Sequence, residues 1–341
     1  MSGDKVRVHV KNNRWAEDTF PNTPEGEEVF TITRERFDEG AAQFPDIASR
    51  LDVTIDWDTD NFESSMADAE VLLTWNLPTE NLSNVAPGLK WIHCIGAGVE
   101  HLAPMGWLPD GVTLTNAKGV HAAKAGEYGL MTVLMLHNHV PALATNQRSC
   151  VYDSLYSTPI GGRTLLILGV GSIGGAVAKH ASALGLHVIG VTRHGLEMEG
   201  VDRMVTPDAL DDVLPQADFV FVSTPMTPET ANLLDARRLD LMKPTAGIVN
   251  VGRAGVIDYD HLRAKLEAGT LGGAILDVFD PEPLPAASPL WSTRNLMVTP
   301  HVSADDGASY VPLTLDLFFR SMRRHLDGGE PLNKVRPELG Y

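Results

Sequence analysis

The chain has 341 residues, 43% of them hydrophobic, with a mean hydropathy of −0.05; that is length enough for two domains of roughly 150 residues each, and no apolar run reaches the ~18 residues of a membrane span. Its net charge is −17, from 44 acidic against 27 basic residues, a surface that repels a phosphate backbone and sets nucleic acid aside as a partner. Two cysteines, Cys94 and Cys150, offer neither a disulfide framework nor a metal knuckle, and the opening Met1-Ser2-Gly3-Asp4 lacks the basic and apolar regions of a secretory signal; the expectation is a cytoplasmic protein with no membrane partner and no metal.

Short apolar runs alternate with helical spacing along the chain, which predicts a parallel α/β architecture. Strands are expected over 6–10, 71–73, 91–95 and 112–115, then a long, largely buried helix over 124–139. A polar, aromatic-dotted stretch over 146–158 ends at Pro159-Ile160-Gly161-Gly162, a boundary signal. The second series starts with a strand over 164–168, a helix over 173–184 and a strand over 187–191. Further strands are expected over 219–222, 247–250, 274–277 and 296–298, with a helix over 259–268 and a closing helix over 305–326. The pattern reads as two doubly wound domains, one inserted into the other.

Gly169-Val170-Gly171-Ser172-Ile173-Gly174 fits GxGxxG, follows an expected strand and opens an expected helix. In that context the first glycine permits a tight turn, the second lets a phosphate approach the backbone, and the third allows helix to pack on strand. A pyrophosphate is then left at the positive helix N-terminus. The next strand ends in Thr192-Arg193-His194, where a ribose-binding acid is expected in NAD enzymes. Without a carboxylate a 2′-phosphate meets no fixed repulsion; Thr192 can donate to it and Arg193 can pair with it. NADP is therefore expected in preference to NAD, with NAD still possible.

Three segments stand at expected strand ends, where open α/β sheets bind ligands. They are Asn250-Val251-Gly252-Arg253-Ala254-Gly255, Asp277-Val278-Phe279-Asp280-Pro281-Glu282-Pro283, and Thr299-Pro300-His301-Val302-Ser303. Singly each has a bland reading as a surface ion pair, an acidic loop or a core histidine. Together they supply an anion ligand, a carboxylate and a titratable imidazole.

With these segments, Thr224-Pro225-Met226-Thr227-Pro228-Glu229-Thr230 and Ile95-Gly96-Ala97-Gly98-Val99-Glu100-His101-Leu102, the chain resembles the D-isomer-specific 2-hydroxyacid dehydrogenase family, in particular its glyoxylate/hydroxypyruvate reductase-like members, from about Val71 to Tyr341. One departure is Ala254, where the family usually has glycine. The resemblance implies an α/β fold of two Rossmann-like domains. One is a flavodoxin-like substrate domain from 1–117 and 302–341; the other is an inserted dinucleotide-binding domain over 118–301. It implies a NAD(P)-dependent reductase of small 2-keto acids, equally an oxidase of 2-hydroxy acids. His301 is then the proton relay, Glu282 its charge partner and Arg253 the carboxylate anchor. The amides of Gly96, Ala97, Gly98 and Val99 cradle the same carboxylate, and Trp75 shapes the pocket. Gly169, Gly171, Ser172, Ile173, Gly174, Thr192, Arg193, Thr224, Val251 and Asp277 hold the cofactor, Asp277 at the nicotinamide carboxamide. A homodimer is expected through the 124–139 helix and the 146–158 arm. A non-catalytic dinucleotide sensor is disfavoured by the complete Arg-Glu-His set, and formate oxidation by Glu282 where that branch has glutamine. Phosphoglycerate oxidation remains open, and glyoxylate and hydroxypyruvate are the first substrates to try.

Overall fold

The computed structural model describes residues 5–15 and 24–337; the expectations resting on Met1–Asp4 and on the last four residues lie outside these. The chain divides into two compact units, His121–Asp305 and a unit built from the segments before and after it. Each carries one parallel sheet.

The first unit's sheet contains β1 (Val6–Asn12), β2 (Leu51–Trp57), β3 (Val71–Thr74), β4 (Trp91–Cys94) and β5 (Thr113–Thr115), in the order β2-β1-β3-β4-β5. This is the flavodoxin-like order, with its topological switch between β1 and β3. β3 and β4 are buried at every position, as strands covered on both faces must be. Strand β2 was not expected. It is an edge strand whose apolar positions alternate with Asp52, Thr54 and Asp56, and only Leu51 is fully buried, so it lacks the continuous apolar run that marks its neighbours.

One face of this sheet is covered by the helices Arg34–Ala42 and Tyr310–Leu326. The latter buries Tyr310, Val311, Thr314, Leu315, Leu317, Phe318, Phe319 and Met322, the broad apolar stripe of a helix lying on a core. It was expected from residue 305 but opens only at Tyr310. The Asp306 carboxylate accepts from the Ala308 amide at 2.9 Å in a turn before it, and such local side-chain bonding competes with helix.

The second unit's sheet contains β6 (Thr164–Leu168), β7 (His187–Val191), β8 (Arg203–Val205), β9 (Phe219–Val222), β10 (Gly247–Asn250), β11 (Gly273–Leu276) and β12 (Leu296–Val298). Their order is β12-β11-β10-β9-β6-β7-β8, parallel throughout. That is the dinucleotide-binding arrangement with one further strand, and its order reverses between β6 and β9. Two apolar clusters cover its two faces. The short edge strand β8 was not foreseen from sequence.

The expected helix over 124–139 is Ala122–His137, and a second helix, Val140–Arg148, follows it. His139 adopts φ +57° and Pro141 stands in the first turn of the second helix, which stops the first helix and starts another. The 146–158 arm accordingly begins inside a helix, and regular structure is absent only from 151 on. Helix Ala122–His137 packs on helix Ser172–Ala183 through Gly129, where a Cβ would come within 2.4 Å of Val177.

Phe318 is fully buried, stacked on Trp91 with ring centroids 5.2 Å apart and edge-on to Phe319 at 5.5 Å. Phe318→Ala is expected to lower unfolding stability by about 3–5 kcal/mol through the cavity it leaves. Urea denaturation measures this; a loss under about 1 kcal/mol would mean that this aromatic cluster does not hold the first unit.

Candidate active site

In the second unit β6 ends at the glycine turn. Gly169 adopts φ +91°, and its amide donates to Val191 O at 3.0 Å. A Cβ on Gly174 would meet Gly169 O at 2.3 Å, whereas one on Gly171 would meet nothing within 4 Å. The three glycines are thus the bend, the open face and the close contact. Gly171 caps the helix Ser172–Ala183, whose first N–H groups lack intrahelical acceptors. On the other side of the switch, Ser223 Oγ donates to Gly169 O at 2.9 Å. The neighbouring Thr224 Oγ1 is buried with no hydrogen-bond partner among the described residues. An orphaned hydroxyl on a residue that packs against Gly169, together with an open Gly171 at the helix N-terminus, fits a phosphate-bearing cofactor, since buried polar atoms ordinarily have partners.

Thr192 Oγ1, after β7, accepts from the Gly195 amide at 3.1 Å. Arg193 stands 3.8 Å from the Glu229 carboxylate, both side chains largely exposed. Glu229 belongs to the loop that starts at Thr224, and sequence reasoning did not connect it to Arg193. Val251 is buried at the end of β10, where its amide donates to Val222 O at 3.0 Å.

The catalytic candidates stand just beyond β10, β11 and β12. Asp277 is fully buried. Its Oδ1 accepts from the Thr299 hydroxyl at 2.6 Å and the Val302 amide at 3.0 Å, and its Oδ2 from the Ser303 amide at 3.0 Å. Because the single Thr299 hydroxyl proton is thus used, the Tyr128 hydroxyl 2.7 Å away is the donor to Thr299. The His301 amide donates to Asp277 O at 2.9 Å, and His301 itself takes φ +55°. That backbone presents the imidazole to Glu282, with Nδ1 2.7 Å from Oε2. Glu282 Oε1 accepts from the Phe279 amide at 2.7 Å, so the carboxylate is held at both oxygens.

Burial pulls the His301 pKa down, but the hydrogen bond and charge of Glu282, aided by Asp277, outweigh burial and the Arg253 charge, leaving it above its ordinary value. Burial pushes Glu282 up, and the His301 hydrogen bond and charge, the Phe279 amide and Arg253 more than reverse this. The pair therefore favours imidazolium against carboxylate. Sequence reasoning missed Asp305, whose carboxyl is pushed up to about 6 by burial within the fields of His301 and Asp277.

Arg253 is half-buried and donates to Gly252 O at 2.8 Å. Its turn is organised by Asn250, whose Oδ1 accepts from the Gly252 amide at 3.0 Å and whose Nδ2 donates to Arg253 O at 3.1 Å and Tyr259 Oη at 2.9 Å. Tyr259 in turn donates to Val278 O at 2.9 Å, linking the Arg253 and Glu282 loops. Neither Asn250 nor Tyr259 was singled out from sequence, because a polar residue at a strand end gives no sign of what it bridges.

In the first unit, Gly96–Val99 follows β4. The carbonyls of Gly96 and Ala97 accept from the Ala117 amide and the Asn116 side chain at 2.9 and 2.8 Å. Among the described residues no backbone acceptor meets the amides of Ala97, Gly98 and Val99. Trp75 stacks on His101 with centroids 4.5 Å apart and an interplanar angle of 2°. Its ring lies against Gly96, where a Cβ would come within 2.3 Å.

The sequence profile of the D-isomer specific 2-hydroxyacid dehydrogenase NAD-binding domain matches residues 130–303. A D-3-phosphoglycerate dehydrogenase of Synechocystis is 32% identical over 253 residues, 73% of this chain and 45% of that protein; the chain spans about half the length of such relatives. A D-isomer specific 2-hydroxyacid dehydrogenase of Xanthobacter autotrophicus Py2, solved with NADPH and MES, is similar at a TM-score of 0.82 and 28% identity, covering 99% of this chain and 100% of that one. The NADPH-dependent glyoxylate/hydroxypyruvate reductase of Sinorhizobium meliloti, solved with NADP and sulfate, gives a TM-score of 0.79 at 25% identity, over 99% and 100% of the two chains.

The different surroundings of the glycines yield a test. Gly171→Ala is expected to change unfolding free energy by less than about 0.5 kcal/mol while weakening dinucleotide binding by about tenfold or more. Gly174→Ala should destabilise the fold itself, because its Cβ collides with backbone. Denaturant unfolding and fluorescence titration with NADPH and NADH separate the two; equal binding by Gly171→Ala and wild type would remove this turn from the cofactor site.

Proposed function

The chain belongs to the D-isomer specific 2-hydroxyacid dehydrogenase family and is a nicotinamide-dependent oxidoreductase of the CH–OH group of 2-hydroxy acids; from that premise we propose that it reduces a small 2-keto acid with NADPH, using His301 as proton donor. The observation that carries this reading is the 2.7 Å His301–Glu282 pair beyond β11 and β12, inside the charge field of Arg253. The bound dinucleotide supplies the hydride. His301 Nε2, the ring nitrogen that does not face Glu282, donates a proton to the ketone oxygen and takes it back in the oxidative direction. Arg253 offers its guanidinium fork to the acid's carboxylate and polarises the ketone. In the first unit, the amides of Ala97, Gly98 and Val99 are the donors we assign to a carboxylate, with Trp75 shaping the space beside them. Glyoxylate and hydroxypyruvate suit a site with these groups, and phosphoglycerate remains an alternative substrate.

On cofactor choice, Arg193 is the cation for a 2′-phosphate. Its exposed pairing with Glu229 is worth about 0–1 kcal/mol, less than a charge-assisted bond to phosphate. The second unit also presents an apolar hollow of 480 Å³ between Leu130, Met131, Leu134, Met135 and Val140. Exposed Tyr152 and Tyr156 lie in the segment after helix Val140–Arg148. We assign this surface to a second copy of the chain.

His301→Ala is expected to lower kcat by about 10²–10⁴ while retaining cofactor binding; near-wild-type turnover would remove His301 from the mechanism. Reduction needs imidazolium, so activity is held below the raised His301 pKa and lost as pH rises through it. Glu282→Gln lowers that pKa and should move the alkaline limb of the reductive profile down by about one pH unit; an unmoved limb would detach Glu282 from the relay. NADPH should be preferred over NADH in kcat/KM by roughly ten- to a hundredfold, and Arg193→Ala should erase most of that ratio. A wild-type preference for NADH would overturn the assignment of Arg193.

A further inference from the structure

Helix Ala122–His137 buries two hydroxyl side chains, Tyr128 and Thr132, and uses them differently. Thr132 Oγ1 donates back within its own helix, to Gly129 O at 2.8 Å, as threonines inside helices commonly do. Tyr128 Oη leaves the helix and donates to Thr299 Oγ1 at 2.7 Å. Thr299 in turn donates to Asp277 Oδ1 at 2.6 Å. Two hydroxyls in series therefore end on the carboxylate that also holds the His301 loop. Glycine makes the reach possible: a Cβ at Gly126 would come within 2.8 Å of Ala176, and one at Gly129 within 2.4 Å of Val177. These two residues let the helix close on helix Ser172–Ala183 and carry Tyr128 with it. Tyr128 is buried. Burial and the Asp277 charge push its hydroxyl up to about 12, against the Thr299 bond, so at neutral pH it keeps its proton and remains a donor.

The amides of Val302 and Ser303 already meet one oxygen each of Asp277, and the hydroxyl chain adds a further donor at Oδ1. Hydroxyls in series polarise one another, so the Tyr128 bond strengthens the bond that Thr299 makes to the carboxylate. A carboxylate held more strongly by donors exerts less of its charge on other groups. That matters at His301: burial opposes the imidazolium, Glu282 favours it most and Asp277 next. An imidazolium held too firmly is a poor acid, because proton transfer works best when the donor titrates near the working pH. Other charges act on His301 as well: Glu282 from the loop after β11, Arg253 from the loop after β10, Asp305 from its own loop, and His121 from the N-cap of helix Ala122–His137. Lys124, on the same helix, lies over the Tyr128 ring at 6.0 Å. Changing Tyr128 or Thr299 leaves every one of these groups in place.

We propose that Tyr128 and Thr299 are positioning residues for proton transfer by His301: acting in series on Asp277, they moderate the charge that this carboxylate exerts on the imidazole and brace the end of β12 from which His301 follows. Removing either hydroxyl leaves Asp277 with more of its charge to act on His301. The imidazolium is then stabilised further, so the ring titrates at higher pH and is a weaker acid towards the ketone. The direction is opposite to that of Glu282→Gln, which takes away the imidazolium's principal charge partner.

The inference rests on the reading of His301 as proton donor in a 2-keto acid reductase, and two readouts keep the failures apart. The first is the NMR titration of His301 in histidine-labelled protein without substrate, its resonance assigned by its loss in His301→Ala. The midpoint is expected to rise by about half a pH unit in Thr299→Val and by a smaller amount in Tyr128→Phe. Thr299→Ser, which keeps the hydroxyl, should restore the wild-type midpoint. The second readout is reduction of glyoxylate and hydroxypyruvate with NADPH across pH. The alkaline limb should move up with the midpoint, and kcat at neutral pH should fall about three- to tenfold with KM changed less than twofold. Tyr128→Phe removes a single oxygen and decides the matter if Thr299→Val does not fold. A midpoint that stays in place or falls in Tyr128→Phe shows that these bonds only support the fold and overturns the inference, while sparing the reductase reading. Failure of wild type to reduce any 2-keto acid overturns the reductase reading, and with it the reaction these residues would serve.

Discussion

The second unit's chemistry depends on one buried carboxylate. Asp277 is fully enclosed, and an unpaired charge there would cost several kcal/mol. It is tolerable because its side chain accepts the Thr299 hydroxyl and the Val302 and Ser303 amides, while its backbone carbonyl takes the His301 amide. Those bonds force the chain after β12 to wrap the end of β11, with His301 at φ +55°. The imidazole then meets Glu282, and Glu282 is already committed to the Phe279 amide. The proposed catalytic pair, drawn from two loops, is thereby set by backbone hydrogen bonding rather than by the side chains' mutual attraction alone.

The same logic extends sideways through Tyr259 and Asn250. Tyr259 donates to Val278 O beside the Glu282 loop and accepts from Asn250, which also shapes the turn before Arg253. The loops that carry Arg253 and Glu282 are laced together without any of these bonds engaging the Arg253 guanidinium or the Glu282 carboxylate. Preorganisation of this kind is what electrostatic catalysis needs, since donors that must reorient during reaction give up much of their effect.

A chain of net charge −17 that handles anions must concentrate its positive charge locally. Arg253 and Arg193 lie just beyond the C-terminal ends of β10 and β7, the edge at which parallel sheets receive ligands. Glycines contribute at the same edge by withholding side chains: nothing would stand in the way of a Cβ at Gly171, and Trp75 occupies the space that a Cβ at Gly96 would need.

Much of this was legible in the amino-acid order. The apolar runs of β6, β9, β10 and β11 announce buried parallel strands, because strands covered on both faces carry no polar alternation. GxGxxG after such a strand specifies a turn that only glycine geometry allows, and Arg253, Glu282 and His301 each follow a strand end. Edge strand β2, whose apolar residues alternate with Asp52, Thr54 and Asp56, the three-residue β8, the break at His139 and the delayed start of helix Tyr310–Leu326 were not legible, because half-exposed edges and short segments take their structure from neighbours or local side-chain bonds. Nor was the network around Asp277 and Asn250. Local sequence determines which backbone conformations are cheap and which residues must be hidden. Which polar groups satisfy one another was decided only by tertiary structure, because those partners are brought together by the order of strands in the sheet and not by their spacing along the chain.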